Sequence, residues 1–390
     1  MECIGELLDR YIAAADSEEN IDMRKYWENS DEWFPNERWR GCSAKKTDIP
    51  FTMAMDISGY AEVVGINCPE YFQNAHTHLR DQLRYALWEF EHIACRRYFE
   101  KSVFIGMGSV MEASFFDVPI HYPRGQAPWF DEQVHVMDDK TALLRVKPFD
   151  FYSSGLCARI HEFYETFNKL TQGYDVKVMF PLAMRGPFSI AIMLRGFNNL
   201  LMDIYDDPAF FHDLMLTITE YLKEYAIRRA KFLGEPIAQG MLFNDEISSE
   251  IISKNVYEEM ILPYEIEMSR HTGGTRYWHS CGATHGFYEL ISTIPGLKLM
   301  HVGPWSDYAK AARIFGEKDI SIEICLNSNR DMYDKTRDEM TSQLNMIKNS
   351  CEGFVKYSVR CDGIAVLKDI PHTLLKISEW KNAASEIFPH

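Results

Sequence analysis

The sequence predicts a (β/α)8 TIM barrel with an N-terminal helical extension, and three observations carry that expectation. Short β-rich runs alternate with long amphipathic stretches, the pattern of βα units around a parallel sheet. The runs fall at 51–55, 103–107, 176–181, 237–243, 275–279, 297–302, 320–324 and 355–359, which makes eight. No Gly-rich phosphate turn follows the first of them, as an open doubly wound sheet would normally show.

Taken in order, residues 1–50 read as helix and irregular connection. Asn36, Gly41 and Pro50 punctuate them, and Trp27, Trp33 and Trp39 are placed to pack the extension on a larger body. The barrel is expected over 51–390, a length that α/β barrels with insertions reach as one unit. Asp207 and Pro208 supply a cap and a first-turn proline for a helix over 207–233, and a second clear helix spans 256–271. The least helical stretch, 106–136, holds Pro119, Pro123, Pro128 and several aromatics, and is expected as an ordered excursion beside the active face. No repeat, low-complexity tract or linker divides the chain.

Composition narrows the function classes. Hydrophobic residues at 46% and charged residues at 25% suit a globular protein with a large core. A net charge of −16 opposes a nucleic-acid partner, and no basic block offers a membrane-surface patch. The acidic, amphipathic N-terminus lacks the basic start and apolar run of a signal peptide, and no stretch approaches the ~20 apolar residues of a membrane span. Nine scattered cysteines suit reduced thiols, so a cytoplasmic protein is expected.

The strongest local chemical signal is Trp278-His279-Ser280-Cys281-Gly282. His279 ends the fifth run and so belongs at the C-terminal mouth, where barrel enzymes place their chemistry. A His and a Cys two residues apart just past a strand end can turn toward one point, and imidazole with thiolate suits Zn2+. Gly282 is expected to let the loop curl around the metal. A third ligand has to come from another strand end. Cys361 follows the eighth run and Cys325 the seventh, and spacing alone does not separate them. Asp245 and Glu246, after the fourth run, can supply an oxygen ligand or an acceptor for the His279 ring, or else cap the next helix. His301, ending the sixth run, is a candidate to hydrogen-bond substrate, and Asp56 has a similar place after the first. Cys3, Cys42, Cys68, Cys95, Cys157 and Cys351 lie away from strand ends and read as plain thiols. GxSxG, GxxxxGK[ST], HExxH and the cobalamin-binding DxHxxG are all missing.

With these residues in view, the chain resembles the uroporphyrinogen decarboxylase superfamily, specifically its cobamide-dependent methyltransferase branch. The segments that carry the resemblance are RGPFSIAIMLRGFNNLLMDIYDDPAFFHDLM, NDEISSEIISKNVYEEMILPYEIEM and HSCGATHGFYELISTIPGLKLMHVGPWSD. It implies a zinc site from the His and Cys of H-x-C-G plus a Cys near the end of the last strand, which here become His279, Cys281 and Cys361. It favours Cys361 over Cys325, although the family's Cys-Gly is Cys361-Asp362-Gly363 here. It also implies methyl transfer between a small-molecule donor or thiol acceptor and a corrinoid (cobamide). Without a cobalamin motif in this chain, that corrinoid is expected on a partner protein. Asp245, Glu246 and His301 are then the expected catalytic residues. The alternative is a uroporphyrinogen decarboxylase-like enzyme acting on a polycarboxylate, with Arg185 or Arg195 as the carboxylate clamp. Against it, the Met-Arg-Gln-Ala-Gly-Arg loop of true uroporphyrinogen decarboxylases is missing before residue 60.

Overall fold

The computed structural model describes residues 2–28, 49–93, 95 and 98–389, with the side chains of 25–28 left aside. Trp33, Asn36, Trp39, Gly41 and Cys42, and the side chain of Trp27, lie outside the described residues.

Eight parallel strands form the barrel: β1 (Phe51–Met55), β2 (Ser102–Phe104), β3 (Lys177–Met179), β4 (Gly240–Phe243), β5 (Thr275–His279), β6 (Leu299–Val302), β7 (Ser321–Asn327) and β8 (Tyr357–Ile364). β4 to β8 pair in sequence order, β8 closes onto β1, and β2 pairs with β3. Beyond β3 the extended backbone rejoins β4, where Phe243 N donates to the Met184 carbonyl at 2.8 Å and Gly186 N to the Phe243 carbonyl at 3.0 Å. Between β1 and β2 no ladder forms among the described residues. There the Gln82 side chain takes both backbone groups of Phe104, at 2.7 and 2.9 Å, so the free strand edge is satisfied.

Helices follow the strands in turn and cover the sheet. Those used below are α1 (Ile4–Ala15), α2 (Pro187–Arg195), α3 (Pro208–Leu233), α4 (Leu262–His271) and α5 (Ile370–Ile387). α3 starts as its sequence predicts: Asp207 caps it through Phe210 N, Pro208 sits in the first turn, and Gly234 ends it in the left-handed region. α1 buries Leu7, Leu8 and Tyr11, and the Tyr11 hydroxyl donates to the Glu100 carbonyl at 2.6 Å, beside β2. None of the described helices is long and apolar enough to cross a membrane.

Alternation along the strands sorts side chains into two cores. Trp278, Met300, Ile322, Ile324 and Val359 join the large apolar layer under the helices. Met241, Tyr277 and Leu299 form a small inner plug. Above that plug, at the next inward positions toward the C-terminal ends, the chain places His279, His301, Glu323 and Arg360, all buried. A polar layer stacked on an apolar plug puts the chemistry at the mouth.

Candidate metal centre

Two neighbouring strand ends build the site. Phe243 and His279 are register partners, so the segments after β4 and β5 leave the barrel side by side. They are then stitched together: Asn244 N donates to the His279 carbonyl (2.8 Å), the Ser280 hydroxyl to the Ile247 carbonyl (2.7 Å), and Ser249 N to the Ala283 carbonyl (2.7 Å). Gly282 serves this contact rather than a special turn. Its φ is ordinary, but an added Cβ would lie 2.7 Å from the Ile247 carbonyl oxygen.

This stitching brings Asp245, His279 and Cys281 to one point. His279 Nε2 lies 3.0 Å from Asp245 Oδ1 and 3.4 Å from Cys281 Sγ, and that sulfur is 3.4 Å from the same carboxylate oxygen. Tetrahedral zinc with bonds of 2.0–2.3 Å separates neighbouring donors by about 3.3–3.8 Å. An imidazole nitrogen, a thiol and a carboxylate oxygen at nearly that spacing fit Zn2+ as a three-donor set with one position left open. His279 is only 6% exposed, whereas Cys281 lies at the open end of the mouth.

Charge supports the arrangement. Burial alone would push the Asp245 carboxyl up, but the hydrogen bond and charge of His279, with Arg185 beside it, hold it well below the usual carboxylate range. Arg185 Nη2 contacts Asp245 Oδ2 at 2.8 Å and its Nη1 lies 3.4 Å from Glu246 Oε1. Burial and the nearby Asp245 charge push the Cys281 thiol up, so it keeps its proton until a cation compensates the thiolate.

Glu246 sits beside the triad without joining it. It accepts from the Ser189 hydroxyl on α2, and burial raises its pKa despite Arg185. His301 lies against His279, with ring centroids 4.1 Å apart. Burial, then the His279 and Arg360 charges, push its pKa well down, against the Asp245 charge and a hydrogen bond with the Ser280 backbone. The 106–136 excursion borders this mouth. Glu112 Oε1 accepts from Met184 N (2.6 Å) and Arg185 N (3.1 Å), and Trp129 lies under the Arg185 guanidinium at 6.0 Å.

The structure does not bring Cys361 to the triad. The eighth strand runs five residues past its expected end, so Cys361 lies inside it rather than beyond it. Alternation then turns Arg360 and Asp362 inward and Cys361 into the layer under the helices, 0% exposed among apolar side chains. Cys325 faces inward on β7, with its sulfur 3.4 Å from Arg360 Nη2, but stands outside the triad. Asp56 is the N-cap residue of the helix after β1. Arg195 is no clamp at the mouth: it is tied to Asp203 at 2.7 Å and to the Met137 and Asp138 carbonyls at 3.0 Å.

Gly186 is a further requirement that the sequence does not announce. A Cβ there would stand 1.8 Å from Asn244 Oδ1. We expect Gly186→Ala to cost about 1–3 kcal/mol in urea unfolding, the range for overpacking a filled site. Because Asn244 precedes Asp245, zinc affinity should weaken with it. A variant of wild-type stability and affinity would show that the contact relaxes freely.

Fold and site together define a (β/α)8 barrel with a candidate metal centre at its C-terminal mouth. The family model described as Uroporphyrinogen decarboxylase (URO-D) matches residues 88–343, well over half of the chain, and the chain belongs to that family. Among solved structures it is similar to a methyltransferase from Methanosarcina mazei. That likeness has 14% sequence identity and a TM-score of 0.63, covering 87% of this chain and 94% of the other, and at such identity it speaks to the fold. No curated protein matches the sequence.

Proposed function

We propose that the chain is a zinc-dependent methyltransferase that moves a methyl group between a small-molecule donor or thiol acceptor and the corrinoid of a partner protein. The observation that carries this reading is the converging triad of His279, Cys281 and Asp245 at the barrel mouth. The methyltransferase fold neighbour and the H-x-C-G resemblance support it. In this reading Asp245 takes the third position that the family pattern would give to Cys361. Zn2+, when bound there, supplies Lewis acidity toward the heteroatom that gives or receives the methyl group.

The chain's own groups handle protons and orientation. Glu246, raised by burial and backed by Ser189 and Arg185, gives a proton to a departing oxygen or takes one from an incoming thiol. His301, packed on the His279 ring at 4.1 Å, is the residue assigned to hydrogen-bond the substrate. Exposed Ile251, Trp305 and Leu367, in the loops after β4, β6 and β8, give the rim apolar footing for the corrinoid protein. The polycarboxylate alternative is disfavoured because Arg185 is already paired with Asp245 at 2.8 Å, whose charge repels a carboxylate.

The test is turnover of methylcobalamin with a thiol, and of cob(I)alamin with methoxylated donors, by protein of measured zinc content. We expect methyl transfer that follows zinc and stops with a chelator. Protein that takes up no zinc even on reconstitution would overturn the reading and favour decarboxylation.

A further inference from the structure

Behind the triad lies a carboxylate that no step above uses. Glu265 on α4 is 1% exposed. Its Oε1 accepts from Asn244 Nδ2 at 2.8 Å, while Oε2 accepts from the Tyr257 hydroxyl at 2.7 Å and from Trp278 Nε1 at 3.1 Å. Asn244 and Trp278 are both wholly buried, and each immediately precedes a member of the triad: Asn244 precedes Asp245, and Trp278 precedes His279. One carboxylate therefore grips two strand ends, each one residue from a donor atom.

The helix is built to deliver that grip. On a regular α-helix, side chains eight positions apart differ by about 80° around the axis. Residues Tyr257–Ile261 instead form a π turn, and Pro263, which has no N–H to give, follows at the start of α4. A π turn takes up one extra residue, so Tyr257 and Glu265 come within about 20° of each other on the inner face. Tyr257 is itself fixed by stacking on Phe287, with centroids 4.6 Å apart. All three partners of Glu265 are donors, so their geometry suits an ionised acceptor, even though burial is unfavourable to its charge.

We propose that Glu265 is the positioning residue of the metal centre: through Asn244 and Trp278 it sets the place and orientation of the Asp245 carboxylate and the His279 imidazole. This rests on the metal reading of the triad. Outer partners that orient metal ligands typically contribute 10–100-fold in affinity. Here the control is exerted through the backbone next to the ligands rather than by a bond to the ligands themselves.

The experiment is titration of the full chain with Zn2+ against a competing chelator, and with Co2+ followed by its visible d–d and thiolate charge-transfer bands. Glu265→Leu should bind zinc about 10–100-fold more weakly and shift the cobalt bands away from tetrahedral intensity. Glu265→Gln keeps an acceptor for Tyr257 and Trp278 and should recover most of the loss. A purely structural role would lower the unfolding midpoint of the metal-free protein and leave the cobalt spectrum of the folded fraction unchanged. That outcome overturns the proposal. If Glu265→Leu does not fold, Trp278→Phe removes one donor and keeps a ring. A spectral shift with weaker affinity then supports the proposal, and a wild-type spectrum overturns it. Cys281→Ala, run alongside, separates the two levels: undiminished metal binding there overturns the metal centre itself, and with it the role of Glu265.

Discussion

Alanine at Asp245 or at Cys281 is expected to abolish stoichiometric zinc binding, whereas alanine at Cys361 leaves it intact. Asp245 Oδ1, His279 Nε2 and Cys281 Sγ form a triangle with sides of 3.0, 3.4 and 3.4 Å, so each loss opens the donor set. The effect should exceed the 10–100-fold typical of a residue that only orients a ligand. Asp245→Ala carries a second cost, because Arg185 loses the carboxylate it contacts at 2.8 Å and its charge then faces the cation. Cys361 packs among apolar side chains under the helices, and its replacement should cost about 1 kcal/mol of stability with zinc retained. Elemental analysis of the three variants beside wild type decides the matter. Zinc lost from Cys361→Ala and kept by Asp245→Ala would restore the family's cysteine as the third ligand and require the end of β8 to turn over.

That contrast shows where the sequence was legible. All eight barrel strands overlap the runs that the alternation of β-rich and amphipathic stretches places, because barrel strands buried on both faces stand out as apolar segments; the short antiparallel pair Ile120–His121 and Trp129–Phe130 in the excursion was not expected. Strand ends were less legible. β8 continues through Arg360, Cys361 and Asp362 into Ile364, so polar residues that read as a loop are strand positions facing a polar interior. Period-two alternation applied three residues further would have turned Cys361 away from the mouth. Asp245 was readable as a candidate oxygen ligand, or an acceptor for the His279 ring, from its place after β4, and the structure puts it beside His279 and Cys281. Glu265 was not, since nothing in YEIEM separates a buried acid from a solvated one. Its meaning arises only where α4 meets Asn244 and Trp278. Likewise the helix expected over 256–271 gave no sign of its π turn, which depends on where Tyr257 must point.

Replacing Arg360 by Met is expected to destabilise the barrel by about 3–5 kcal/mol, the cost of removing one partner from a buried ion pair. The guanidinium is 0% exposed and contacts Glu323 Oε2 at 3.4 Å and Asp362 Oδ2 at 3.3 Å. Asp362 retains some contact with water, but Glu323 is 2% exposed and would keep the Tyr277 hydroxyl, at 2.7 Å, while losing its guanidinium. Burial already raises the Glu323 pKa, and Arg360 is the main opposing influence, so the substitution should raise it further. A carboxyl whose folded pKa lies above its unfolded value contributes stability that is fully present below the unfolded pKa and lost as pH rises through the folded one. The deficit of Arg360→Met should therefore shrink as pH falls from 8 toward 5, as Glu323 takes up a proton in the folded state. Urea midpoints across that range measure it. Adding Glu323→Gln removes the stranded charge, and the double variant should regain at least half of the loss at pH 8 and lose most of the pH dependence. A deficit that is the same at both pH values and untouched by Glu323→Gln would mean that Arg360 acts by filling volume in the barrel rather than by balancing its charge.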